Sequence, residues 1–318
     1  MTSYMNESIR KKINSQYFKT RVRENVSLYA IMLIPLALIL VFCYFPIYGI
    51  LIAFQEFTPG KQILAFDGSV RWVGLKHIKE FVNSMYFGRI MRNTIWLSLL
   101  NLVFGFWVPI LFALTVNEIR GTKYKKFVQT SSYMPHFISA VVVAGIVLSF
   151  IAPDGIVNNF IALFGGERNA YNVVPSAFPI VYTITNIWKG FGWSSILYLS
   201  VISSVDPEQY EAAMIDGANR PQRIWFITLP HIMPTAAILL IFAIGGLLGS
   251  NSELILLLYN PATYETADVI GTYLFRVGLL DGKFSFASAV GLFITVINFI
   301  LLFTANKVSN KLTNFGIW

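Results

Sequence analysis

The sequence predicts an all-α membrane protein with six transmembrane helices, and three observations predict it. The 318 residues are 55% hydrophobic and 13% charged, with a mean hydropathy of +0.61, against roughly 25% charged in ordinary soluble domains. The 24 basic and 16 acidic residues are too few to coat the two water-soluble domains that a chain of this length would form. Long uncharged runs recur along the chain, and the basic residues gather in short clusters between them. The net charge is +8 with an isoelectric point near 9.5, but this clustered spacing fits a membrane orientation signal better than a nucleic-acid groove.

The runs follow in order. Residues 28–54 carry no charge; they exceed a signal-peptide core and lack a small-residue cleavage site, so they read as a retained helix. Residues 93–117 form the second run. The third, 137–152, is short and bracketed by Pro135 and Pro153. Residues 176–204 contain one charge, Lys189, and 234–259 contain one, Glu253; 284–306 is again uncharged. The single cysteine, Cys43, lies in the first run, so neither a disulfide framework nor a cysteine metal site can form. His77, His136 and His231 are far apart and lack zinc-ligand spacing, so no metal site and no catalytic site are expected.

Six spans put both termini on one side of the membrane. Fourteen Lys and Arg residues fall in 1–27, 118–134, 205–233 and 307–318, against nine in 55–92, 153–175 and 260–283. That asymmetry places 1–27 as a basic cytoplasmic segment, 28–306 as a six-span domain with a cytoplasmic loop at 205–233, and 307–318 as a cytoplasmic tail. The loop 55–92 mixes Trp72, Phe81, Tyr86 and Phe87 with basic residues, which predicts an amphipathic stretch on the outer membrane surface.

The loop between the fourth and fifth runs reads as two short helices. Asp206 is an N-cap, Pro207 suits the first helical position and Gln209 has capping-box spacing, while Gly217 ends the helix. Asn219 and Gln222 repeat the start signal, and Pro230 is expected to stop the second helix. Ala212 and Ala213 beside Glu211 allow another surface to approach closely.

Glu211, Ala212, Ala213, Gly217, Ile227, Leu229 and Pro230 together resemble the EAA motif of ABC importer permeases, whose fold has six spans and cytoplasmic termini. The resemblance implies that this helix couples to a cytoplasmic ATPase, with Glu211 making the polar contact, Ala212 and Ala213 the close approach, and Gly217 the turn out of the ATPase cleft. The chain has no GxxxxGK[ST] phosphate loop, so it is read as a transport subunit rather than an enzyme. It is expected to bind no cofactor, ATP and Mg residing on the partner. The resemblance runs from about Asn93 onward. The segments 259–262, 268–276, 284–291 and 315–318 look like type I sugar-importer permeases, in the branch associated with polysaccharide and complex-oligosaccharide uptake. One departure is that Ser252 and Leu254 flank Glu253, where these permeases commonly have an aromatic and a polar residue. The implied partners are a second, different permease, two ATPase subunits and an extracellular binding protein, in a bacterial plasma membrane.

Charges within spans cost on the order of 2.5–3.5 kcal/mol each on insertion scales. Lys189 and Glu253 are therefore candidates for a substrate path. Each lies in sequence broken by glycine or polar residues, and helical rise counted from the cytoplasmic ends gives them similar depth. One reading has Trp188 and Trp193 facing sugar rings, Asn251 and Ser252 hydrogen-bonding, and Lys189 meeting an acidic sugar. The other pairs Lys189 with Glu253 and puts the tryptophans in an interfacial belt. The competing function is an ion-coupled secondary carrier, which predicts repeated halves and several buried acids. The chain has one such acid and no convincing repeat.

Overall fold

The computed structural model describes residues 25–60, 62–64, 70–249 and 252–318. The basic residues of the N-terminal segment, and Asn251, lie outside the described residues. Those described are helical, apart from loops and an isolated antiparallel bridge between Gln55 and Trp72. The helices are α1 (Val26–Phe54), α2 (Lys76–Val82), α3 (Phe87–Asn117), α4 (Thr122–Phe137), α5 (Ala140–Ile151), α6 (Ile156–Leu163) and α7 (Phe178–Ser203). They continue with α8 (Pro207–Ile215), α9 (Arg220–Gly245), α10 (Ser252–Leu258), α11 (Tyr264–Ala267), α12 (Ile270–Leu280) and α13 (Phe284–Thr313).

Among the described residues, five helical segments are long and apolar enough to cross a bilayer: α1, α3, the α5–α6 segment Ala140–Leu163, α9 and α13. α7 has the length, at 26 residues, but is more polar, with Thr183, Thr185, Asn186, Lys189 and Ser195 along it. Its position accounts for that. It packs against α3, α4 and α9, burying Thr183, Thr185 and Ser195 while Ile180, Ile184 and Leu197 stay exposed. α1 is the opposite case, exposed along most of its length and packed through its C-terminal part against α13.

Three apolar clusters fix the two ends and the middle. Ile110, Ala113 and Val116 of α3 meet Tyr198, Leu199 and Ile202 of α7 and Ile232 and Ala236 of α9 beside the 205–233 loop. At the far end Phe81, Ile90, Ile270, Tyr273 and Val290 join α2, α3, α12 and α13. Between them Leu97, Val143, Tyr182 and Leu254 join α3, α5, α7 and α10.

Several expectations change. Pro230 does not stop a helix: α9 runs through it from Arg220 to Gly245, because a π turn at Ile224–Thr228 resets the hydrogen-bond ladder just ahead of the proline. The expected helix over 234–259 therefore begins earlier, ends at the Gly245–Gly246 break, and resumes only as the seven-residue α10. Glu253 belongs to α10, so a straight helical rise from Pro234 does not give its depth. The amphipathic stretch is α2, but its apolar face is turned inward, with Phe81 fully buried against protein rather than lying on lipid. The 307–318 tail is helical to Thr313 and then folds back on Asn306, whose Oδ1 accepts from Ile317 N at 2.8 Å.

Candidate functional site

The coupling loop is built by its own caps. Asp206 Oδ1 accepts from Glu208 N at 3.0 Å, one residue short of the expected capping-box position. α8 closes in a Schellman turn: Gly217 N bonds to Met214 O at 3.1 Å and Ala218 N to Ala213 O at 2.8 Å, with Gly217 at φ 81°. Asn219 and Gln222 form the full reciprocal capping box, at 2.8 and 3.0 Å, and start α9.

These caps bring the two halves of the motif together. Tyr210 Oη and buried Thr228 Oγ1 are 2.9 Å apart, tying α8 to the π turn. Ala213, Gly217, Phe226 and Ile227 line one cavity of about 280 Å³. Leu229 packs against the α3–α7–α9 cluster, so the loop stands on the core, while Pro230 is exposed. Glu211 and Ala212 face outward. Beside them Met214, Ile215, Trp225 and Phe226 are exposed, Ile215 at 87%. Motif reading passed over these four residues. The available signal was large apolar side chains within the least membrane-like loop of the C-terminal half.

A second region lies between α3, α7 and α9, where a cavity of about 620 Å³ is lined by Asn101, Phe106, Asn186, Phe191 and Trp193. Asn186 Nδ2 donates to Asn101 Oδ1 at 2.8 Å, joining α3 to α7. An adjoining cavity of about 180 Å³ shares both asparagines and adds Ser98 and Tyr182. The sequence reading missed both asparagines because it followed charges within the spans, and an amide carries none.

Of the predicted path residues, Trp193 lines the larger cavity and Trp188, Lys189, Ser252 and Glu253 do not. Lys189 Nζ donates to the His136 carbonyl at 3.1 Å, and no Lys189–Glu253 ion pair occurs among the described residues. The carbonyl belongs to the last turn of α4, where helical carbonyls lack partners, so Lys189 caps α4 from the neighbouring helix. Trp193, one turn on, stacks on the His136 ring at 4.6 Å and 3°. Ser252 lies against Gly271 of α12, and Glu253 is exposed in the first turn of α10.

Residues 105–314 match the family described as Binding-protein-dependent transport system inner membrane component. The chain belongs to this family. The permease is 40% identical to the polygalacturonan/rhamnogalacturonan transport system permease protein YteP of Bacillus subtilis (strain 168) over 292 residues, covering 92% of this chain and 90% of that one. It is 39% identical to Protein LplB of the same organism, with 92% and 91% covered. Among solved structures it resembles a chain of a bacterial ABC transporter involved in the import of the acidic polysaccharide alginate. The TM-score is 0.83 at 41% identity, covering 92% of this permease and 98% of that chain. It also resembles a chain of the alginate transporter in complex with an alginate pentasaccharide-bound periplasmic protein, with a TM-score of 0.82 and 94% and 99% covered.

Proposed function

We propose that this permease is one half of the membrane pathway of an ATP-driven importer of oligosaccharides, spanning the bilayer six times with its termini and coupling loop in the cytoplasm. The sixth span is α7, whose polar Thr183, Thr185 and Ser195 are buried. The observation that carries the reading is the coupling loop: a short helix, capped at both ends and anchored through Thr228 and Leu229, that presents Glu211 beside exposed Met214 and Ile215. Glu211, Ala212 and Ala213 are read as the ATPase contact, Gly217 as the turn out of its cleft, and Ile227, Leu229 and Pro230 as the base on which the helix stands. ATP and Mg belong to two ATPase subunits, and a second, different permease completes the path. An extracellular binding protein delivers the sugar at the opposite end.

The cavity around Asn101, Asn186, Phe191 and Trp193 suits a sugar, with amides for hydroxyls and aromatic faces for the ring. Trp188, Ser252 and Glu253 fall outside it, and any part they take in the path lies elsewhere along it. An ion-coupled carrier is disfavoured, because it would need several buried acids along the spans.

The test is the assembled transporter in proteoliposomes, read by oligosaccharide uptake and by ATPase activity stimulated by the binding protein. Glu211→Lys is expected to leave the complex assembled and to reduce both readouts by tenfold or more, on the order of the loss when a buried polar contact at an interface is reversed. Normal transport by this variant contradicts the coupling role, and transport by the isolated chain under an ion gradient sinks the whole reading.

A further inference from the structure

At the end opposite the coupling loop, a cavity of about 890 Å³ lies between α2, α3, α12, α13 and the segment that follows α1. Its wall holds two arginines from different helices, Arg89 of α3 and Arg276 of α12. Both approach the same oxygen of one carboxylate, Asp268 Oδ2, at 3.3 and 2.8 Å. Asp268 is fully buried; its Oδ1 accepts from Thr272 Oγ1 at 2.9 Å and its backbone carbonyl from Asn93 Nδ2 at 3.1 Å. That carboxylate is held from three side chains.

One carboxylate neutralises one guanidinium, so the pair retains a positive charge. Arg89 Nε and Arg276 Nη1 are buried, so a ligand meets the remaining guanidinium surface, the two side chains being 34% and 27% exposed. A clamp joining α3 to α12 needs one arginine, so a purely structural role leaves the second unexplained. Two other acids of the wall are engaged elsewhere. Glu56 is bonded to Arg71 at 2.9 Å and Lys76 at 2.8 Å, and Glu80 to His77 at 3.1 Å. The Lys76 hydrogen bond holds the Glu56 carboxyl below its usual range. Asp281 and Lys283 carry opposite charges where α12 ends and α13 begins.

Aromatic faces surround the arginines. Arg276 lies over the Tyr264 ring at 4.8 Å and the Tyr273 ring at 5.8 Å, and Arg89 over Tyr86 at 5.4 Å; all three tyrosines line the cavity. We infer that this cavity recognises the carboxylate of a uronate unit in an acidic oligosaccharide, Arg89 and Arg276 donating to its oxygens and the tyrosines flanking the ring. The inference rests on the importer reading and specifies its substrate class. Planar forked donors match a carboxylate, and the guanidinium planes are already set by Asp268. An acidic side chain from a docking protein would need the arginines but not a cavity of this volume with three tyrosines in its wall.

The experiment uses the assembled transporter with uronate trisaccharides, of galacturonate and of mannuronate, and their methyl esters, which keep the rings and lose the charge. Arg276→Lys keeps an ion pair for Asp268 but loses the fork. The half-saturating concentration of the free acids is expected to rise about tenfold and that of the esters to stay within about twofold. Arg89→Lys repeats the measurement from the other helix, so poor folding of one variant leaves the other. Equal loss for acids and esters in an assembled complex overturns the inference in favour of a structural clamp. A raised requirement for binding protein with unchanged preference overturns it in favour of protein docking. If the unaltered transporter imports only neutral sugars, the inference fails and the importer reading stands; if it imports no oligosaccharide, the importer reading itself has failed.

Discussion

Gly217 shows what a single residue contributes to coupling. At φ 81° it closes α8, and a Cβ there would meet nothing within 4 Å, so its requirement is conformational rather than steric. A β-branched side chain in this backbone region costs about 1–2 kcal/mol. Gly217→Val is expected to open the Schellman turn and to lower binding-protein-stimulated ATPase several-fold while membrane insertion persists. Gly217→Asn, which tolerates this conformation, should retain most of the activity. If the valine variant couples normally, the turn is not what positions α8. Lys189 teaches the reverse lesson. Its type and depth suggested either a sugar contact or an acid partner, and the structure gives it a helix-end carbonyl. Lys189→Met is expected to destabilise the α4–α7 packing by about 1–2 kcal/mol and to reduce uptake of neutral and acidic sugars alike. Loss confined to acidic sugars would return it to the substrate path. The Lys189 partner was not legible in sequence, because a carbonyl acceptor carries no residue identity, whereas the glycine at 217 marked its helix end there.

At the scale of elements, long runs with at most one charge located helices well. The 28–54 run became Val26–Phe54, and 176–204 became Phe178–Ser203. Ends marked by charge were misplaced where the charge is paired inside the protein. α3 starts at Phe87 rather than 93 because Arg89 and Arg92 bond to Asp268 and to the Glu265 carbonyl. The fifth run failed most, because a proline inside a helix and a glycine pair at its end reversed the usual punctuation. Glycine is also what lets α4 meet α7. A Cβ on Gly192 would lie 2.0 Å from the Ser132 carbonyl oxygen, which is backbone and cannot yield. Gly192→Val is expected to cost roughly 1–3 kcal/mol or more, by forcing apart a close helix crossing. Gly145→Ala, with nothing within 4 Å, should leave thermal stability in detergent unchanged. Equal melting temperatures for both variants would show that the crossing is not tight.

For the whole molecule, the two ends differ in kind, and the difference predicts orientation. The end bearing the coupling loop gathers the C-terminal parts of α3 and α7 and the start of α9. It also carries Arg120, Lys123, Lys125 and Lys126, exposed or at the surface beside α4. The opposite end holds Arg89, Arg92 and Arg276 within helices, bonded to Asp268 and the Glu265 carbonyl, so much of its basic count belongs to internal structure rather than to loops. The loop bias is therefore stronger than a count by segment suggests, and the coupling end should be cytoplasmic. Single cysteines in a Cys43→Ser background test this. A cysteine at exposed Thr58 or Asn83, at the far end, should react with an impermeant maleimide on intact cells. One at Glu118 or Gln222 should react only after permeabilisation. The reverse pattern would place Glu211 outside the cell, away from any ATPase, and would remove the coupling role while leaving the fold as described.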